Sequence, residues 1–332
     1  MAKVLVYGWY GHGNLGDEAF RPAITGLFPG VDFTFADRLP ERLAIRFDAV
    51  VFGGGSFLDQ AVAGSIDIHL PEGMPIAYLG VSCGDVVHPD HSKLLKKAKL
   101  IVVRDRLSFD KLTRIHEIDR NKVHYAGDLV LARDDVYWQL CEQPPSRMVA
   151  VFLSDHLTPR RDAPIWAYQA HEWFVREMAK ALDRMIDDGL HVSFYAMCVN
   201  PRESDERPMW AVTGKMNSDP MSYFSRMGYM DEAECRASIA RSHLVVTQRL
   251  HGAVFSAALG RHAILINSHD KMNAFAMDSG IETVPYYGFT DRQLLDTVDL
   301  LSGSQLPNTD YAKGVKKRWL DIVPIVADKL GL

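Results

Sequence analysis

Short apolar runs, each long enough for one buried strand and each followed by a helix-length pattern, recur along almost the whole chain. This alternation constrains the fold more than any other feature. In the first part the runs are KVLVY (3–7), DFTFA (32–36), AVVFG (49–53), PIAYLGV (75–81), KLIVVRD (99–105) and VHYAGD (123–128). Strands that are mostly apolar, without clean alternation, need cover on both faces, which predicts a parallel sheet between helices. Composition changes at QLCEQPPSR (139–147), where two prolines and polar residues suit a crossing between domains. The pattern then restarts with MVAVFLS (148–154), HVSFYAM (191–197), HLVVTQR (243–249) and HAILINS (262–268). HEWFVREMAKALDRMIDDG (171–189) is an amphipathic helix closed by Gly189. Residues 232–242, 252–260, 271–280 and 313–329 predict further helices, and 200–220 predicts a loop region with helical pieces. At roughly 150 residues per domain, 332 residues make about two. The expected class is α/β, with Rossmann-like domains over 1–140 and 146–332 meeting at a cleft.

Charge and composition narrow the function. Lys and Arg number 37 against 42 Asp and Glu, a net charge of −5. The one dense basic run, Lys93, Lys96, Lys97 and Lys99, is explained by a solvated helix face, so no nucleic-acid partner is expected. No apolar run approaches the ~18 residues of a membrane span, so no transmembrane segment is expected. The first strand begins at Lys3 with no charged leader and apolar segment before it, which makes a cytoplasmic location the expectation. Cys83, Cys141, Cys198 and Cys235 form no CxxC pair, and the histidines form no HExxH, so neither a metal nor a disulfide framework is expected. Nothing in the sequence sets an oligomeric state.

The polar residues of interest fall at strand ends, where open parallel sheets bind ligands. Gly11-His12-Gly13-Asn14-Leu15-Gly16 fits the dinucleotide fingerprint G-x-G-x-x-G, with Asp37 at a plausible ribose spacing. Gly8, Trp9 and Tyr10 make the turn too long, however, and Asp17 and Glu18 occupy the first helical turn where a pyrophosphate needs positive charge. The segment reads either as a turn with a helix cap, or as a cradle placing Asn14, Gly16, Asp17 and Glu18 near a hydroxylated ligand. Gly53, Gly54, Gly55 and Ser56 follow another strand and suit a phosphate loop or a tight turn. Arg104 ends one strand, with Ser108 a candidate helix cap after it. Arg249 ends another, with His251 two residues on and a helix beginning there. Guanidinium forks, an imidazole and helix N–H groups together suit a small anion. The bland alternatives are that Arg104 pairs with Asp105 or Asp128, that Arg249 pairs with a carboxylate, and that His251 is a hydrogen-bonded histidine beside a packed helix.

GNLGDEA (13–19), VVFGGGSFLD (50–59), VVRDRLS (102–108), TQRLHGAVFSAALG (247–260) and SHDKMNAFAMDSG (268–280), in this order, resemble the polysaccharide pyruvyl transferase family. The resemblance implies a GT-B-like pair of Rossmann-like domains, with the acceptor side in the first domain and the last helix a candidate to cross back to it. It implies a ketal-forming transferase that moves the pyruvyl group of phosphoenolpyruvate onto saccharide hydroxyls, free or lipid-linked, and releases phosphate. No cofactor or metal is implied. Arg104, Arg249 and Ser108 would bind the donor with support from Lys271, although Asp270 stands where other members often carry proline. His251 would deliver the proton, and Asp17 or Glu18 would take one from the hydroxyl. Asn14, Gly16, Gly53, Gly54, Gly55 and Ser56 would supply acceptor or phosphate loops. The competing readings are a GT-B glycosyltransferase using a nucleotide sugar, which would need a base-and-ribose site in the second half, and a non-catalytic saccharide-binding protein.

Overall fold

Each half of the alternating pattern closes on its own parallel sheet. The computed structural model describes residues 1–40, 46–62, 73–135, 147–219, 221, 223–226, 228, 230–304, 307 and 309–332. The chain divides into two compact units, one of Met1–His12, Asp17–Asp134 and Ala312–Leu332, the other of Gly13–Gly16 and Asp135–Tyr311. The expected crossing at 139–147, with its limits at 140 and 146, falls almost wholly on 136–146, outside the described residues.

The first unit holds β1 (Lys3–Tyr7), β2 (Asp32–Ala36), β3 (Ala49–Gly55), β4 (Ile76–Val81), β5 (Leu100–Val103) and β6 (Val123–Tyr125). Their order is β2-β1-β3-β4-β5-β6, every neighbour parallel. All residues of β3, β4 and β5 are buried, as strands covered on both faces must be. The long closing helix Asp310–Leu330 supplies much of its length to this unit. The indole of its Trp319 is fully buried and donates to the Gly127 carbonyl at 3.1 Å, while Arg318 Nε donates to the Ala126 carbonyl at 3.0 Å.

The second unit holds β7 (Met148–Phe152), β8 (His191–Tyr195), β9 (Tyr223–Arg226), β10 (Leu244–Thr247), β11 (His262–Asn267) and β12 (Glu282–Pro285). The order is β12-β11-β10-β7-β8-β9, again all parallel. That is the doubly wound Rossmann order, in which the chain reverses direction across the sheet between β7 and β10. The helix Ile165–Asp187 lays Phe174, Met178, Ala181, Leu182 and Met185 against the sheet, starting six residues before the sequence pattern suggested. Its first turns carry exposed Ile165 and Trp166, so the apolar period that marks a buried face begins only later.

Several local expectations are corrected. β9 and β12 are edge strands, and β12 is mostly exposed with a proline at its end, so neither carries the apolar run of a central strand. Helix Glu206–Thr213 is one of the helical pieces expected within 200–220, whereas helix Asp291–Ser302, which buries Leu294 and Val298, was not anticipated. The helix after β5 starts at Arg106, and Asp105 rather than Ser108 caps it: the carboxylate accepts the Ser108 N–H at 2.7 Å. No helix among the described residues is long and apolar enough to cross a membrane.

Candidate functional site

In the first unit, three neighbouring strands deliver a serine, a second serine and an arginine just past their carboxyl ends. Ser56 follows β3, Ser82 follows β4 and Arg104 follows β5. Arg104 is buried; its Nη2 donates to Ser56 Oγ at 2.7 Å and its Nε donates to Ser82 Oγ. Ser82 in turn donates to Asp105 Oδ2 at 2.9 Å, while that carboxylate stands 4.0 Å from Arg104 Nε. Ser108 uses its hydroxyl to accept the Cys83 N–H at 2.8 Å. The guanidinium is thus held mainly by hydroxyls, and its partnership with Asp105 runs through Ser82.

The glycines and acids of the same unit have packing and loop roles. Gly53, Gly54 and Gly55 end β3, and Gly54 has φ +64° with the Phe20 ring packed on it; a Cβ there would meet that ring at 2.1 Å. Asp17 lies beside Gly55, where a Cβ would come within 3.3 Å of Oδ1. Glu18 accepts the Gly11 N–H at 2.6 Å and pairs with Arg21 at 3.0 Å, fastening the loop that leads into its own helix. Asp37, the ribose acid of the dinucleotide reading, bonds His12 Nε2 at 2.9 Å.

The dinucleotide fingerprint is spent on backbone pairing. Within the second unit Asn14 forms a bridge with Cys198, Leu15 N–H donates to the Met197 carbonyl at 3.0 Å, and Val199 N–H donates to the Gly13 carbonyl at 3.3 Å. Asn14 Oδ1 also accepts the Gly16 N–H at 3.1 Å. Gly16 is needed for a different reason than phosphate approach. A Cβ on it would fall 2.2 Å from His251 Nδ1, so the bare backbone makes room for the imidazole. His251, half-buried, stands in the first turn of the helix Leu250–Leu259 that follows β10.

Arg249 is the N-cap residue of that helix and is heavily engaged. Its Nε lies 3.1 Å from each oxygen of Asp205, Nη2 also bonds Asp205 Oδ1, and Nη2 reaches Glu203 Oε1 at 2.6 Å. Asp205 is fully buried and accepts the N–H groups of Met197 and Cys198 at 3.0 Å each. Burial works to lower the Arg249 pKa, but the two carboxylates outweigh it and hold it above the ordinary arginine value. Burial by itself would raise Glu203; Arg249, with His156 and Lys271, holds it below the usual carboxylate range. One guanidinium facing two carboxylates has no net charge to offer an anion. This pairing ties the end of β10 to residues 197–205, and the sequence reading missed both partners.

Two further histidines gather at the same edge. His156 follows β7 and His269 follows β11, with ring centroids 4.8 Å apart at 74°. Lys271, in the first turn of the helix Asp270–Ser279, bears on both electrostatically. Their only sequence signal is position, a few residues beyond β7, which flanks the reversal of the sheet, and β11, one strand further out. Among the described residues no cluster of His, Cys, Asp and Glu is arranged to hold a metal ion.

Solved structures match the chain over its whole length. A UDP-GlcNAc 2-epimerase from Methanocaldococcus jannaschii is 10% identical, with TM-score 0.63 over 98% of this chain and 99% of that one. The S. aureus MnaA–UDP co-structure is 12% identical, with TM-score 0.66 over 100% and 98%. The Neisseria meningitidis UDP-GlcNAc 2-epimerase bound to UDP-GlcNAc is 10% identical, with TM-score 0.58 over 99% and 99%. At such identities the likeness shows the fold, a pair of Rossmann-like lobes of the GT-B kind.

These matches correct the expected activity and partner. A phosphoenolpyruvate-dependent, ketal-forming transferase finds no counterpart among these matches, two of them UDP-GlcNAc 2-epimerases and the third a complex with UDP. The geometry agrees, because the charge of Arg249 that would hold the donor is already balanced by Asp205 and Glu203. Descent is a separate matter from donor chemistry. The family model described as polysaccharide pyruvyl transferase matches residues 14–270, more than half of the sequence, and the chain therefore belongs to the polysaccharide pyruvyl transferase family.

Proposed function

We propose that this protein is an enzyme acting on a nucleotide sugar, which it holds at the carboxyl edge of the second sheet, in a cytoplasmic setting. The observation that carries the reading is the full-length fold likeness to proteins whose structures hold UDP or UDP-GlcNAc. Two features support the placement. Ligands of doubly wound sheets sit where the strand order reverses, here between β7 and β10. That edge also collects His156, Gln248, His251, His269 and Lys271, groups suited to a diphosphate and to proton transfer at a sugar. In this reading Arg249 positions the β10 end through Asp205, and His251 is the proton-handling group. Free thiols at Cys83, Cys198 and Cys235 suit a reducing compartment.

Binding calorimetry tests the proposal. UDP-GlcNAc and UDP are expected to bind with a Kd between roughly 1 μM and 1 mM, the range usual for enzyme substrates. Side chains supply the cationic groups, so EDTA is expected to leave that affinity unchanged. Phosphoenolpyruvate at the same concentrations is expected to give no binding heat. Tight phosphoenolpyruvate binding with no response to either nucleotide would refute the proposal.

A further inference from the structure

No capping or packing role accounts for the paired imidazoles of His156 and His269. His269 is the N-cap residue of the helix Asp270–Ser279, yet its side chain makes no capping hydrogen bond. Its Nε2 is buried and has no hydrogen-bond partner in the protein. His156 lies on the single turn Asp155–Leu157 just past β7, its own N–H donating to Ser154 Oγ at 3.3 Å, and the residue reaches solvent while its ring is partly desolvated. The rings meet edge to face. Lys271, from the helix after β11, bears on both rings, while Arg249, from the end of β10, and Arg160, from the segment after β7, bear on His156 alone. Arg249 is matched by Asp205 and Glu203, Arg160 pairs with the buried Asp155 at 3.3 Å, and Asp270 opposes Lys271 at His269.

Burial, His156 and Lys271 push the His269 pKa down to about 4. His156 is lowered too, by burial first and then by Lys271 and the arginines. At neutral pH both rings are therefore neutral, with the Lys271 ammonium bearing on both at the carboxyl edge of the sheet. A charge of that sign favours an anion beside the pair, and an anion there opposes its effect on the rings.

Building on the nucleotide-sugar reading, we propose that His156, His269 and Lys271 form the subsite for the ligand's diphosphate. His269 Nε2 and the Lys271 ammonium donate to phosphate oxygens, and His156 closes the subsite from the solvent side. Filling it raises the histidine pKa values, so the complex takes up a proton from solvent. The sign follows directly. A pKa higher in the complex than in the free protein makes binding tighten as pH falls toward the free-protein value. The gain is limited to about tenfold per pH unit for one proton.

The test is calorimetry with UDP-GlcNAc, whose diphosphate is esterified at both ends and does not itself titrate in this range. Titrations from pH 7.5 to 5.5, in buffers of different ionisation enthalpy, count the protons exchanged. The wild type is expected to take up as much as about one proton near pH 6.5 and to bind more tightly at the acid end. The variants His156→Gln and His269→Gln, each checked for an unchanged melting temperature, are expected to lose the uptake and at least about tenfold in affinity. UDP-GlcNAc binding without proton uptake, or uptake that persists in either variant, would overturn the subsite and leave the nucleotide-sugar reading standing. No UDP-GlcNAc binding at any pH would overturn that reading, and the subsite with it.

Discussion

Replacing Asp205 with alanine is expected to destabilise the second unit by about 3–5 kcal/mol, the cost of removing one member of a buried ion pair. Arg249 is only 12% exposed, and without Asp205 its guanidinium would keep just the partly exposed Glu203. The N–H groups of Met197 and Cys198 would also lose their acceptor inside the protein. Urea denaturation of Asp205→Ala and Arg249→Met, alone and together, is the measurement. Each single change is expected to be severe, and the double change less so than the sum, because it leaves no unpaired buried charge. An Asp205→Ala protein within about 1 kcal/mol of wild type would show that the pair is not a structural tie.

The second large effect concerns turnover. His251→Gln is expected to slow conversion of the nucleotide sugar by about 10²–10⁴-fold, the usual cost of losing a proton-transfer group. The half-buried ring sits at the helix start after β10 and bears little of the core, so the melting temperature is expected to hold. Gly16→Ala offers an independent check without touching the histidine. The new Cβ would lie 2.2 Å from Nδ1, and the imidazole has to swing away. Turnover is expected to fall in the same direction, with substrate affinity less affected. His251→Gln at the wild-type rate would remove the residue from the chemistry.

Much of the scaffold was legible because the central strands announce themselves. The all-apolar runs of β3, β4 and β5 admit little but a doubly covered sheet, and the proline-bearing composition change separates two such patterns. Edge strands such as β12, half polar and ending in proline, lack that signal. Arg104, Arg249 and His251 were visible as strand-end residues, but their charge balance was not. Asp205 lies 44 residues from Arg249 in sequence, within a stretch that looks like polar loop, and only the folded chain brings the two together. Arg104 illustrates the same point with the opposite outcome, since serines rather than a bonded carboxylate surround it. The ordered motifs identified the family correctly. They overreached on the donor, because the anion-binding argument counted Arg249 without the two acids that neutralise it. The fingerprint at Gly11–Gly16 was readable as unsuited to a dinucleotide, but what its glycines do was not: Gly13 and Gly16 serve strand-like pairing and the imidazole of His251.

One competition experiment tests the central claim most directly. The protein is incubated with UDP-GlcNAc, phosphoenolpyruvate and a mixture of saccharide acceptors, and phosphorus NMR follows both donors in the same tube. The account predicts that the diphosphate signals of UDP-GlcNAc change, through release of UDP or formation of an isomeric UDP-sugar, while phosphoenolpyruvate stays intact. Inorganic phosphate appearing from phosphoenolpyruvate, with a pyruvate-sized gain in acceptor mass and UDP-GlcNAc untouched, would contradict it.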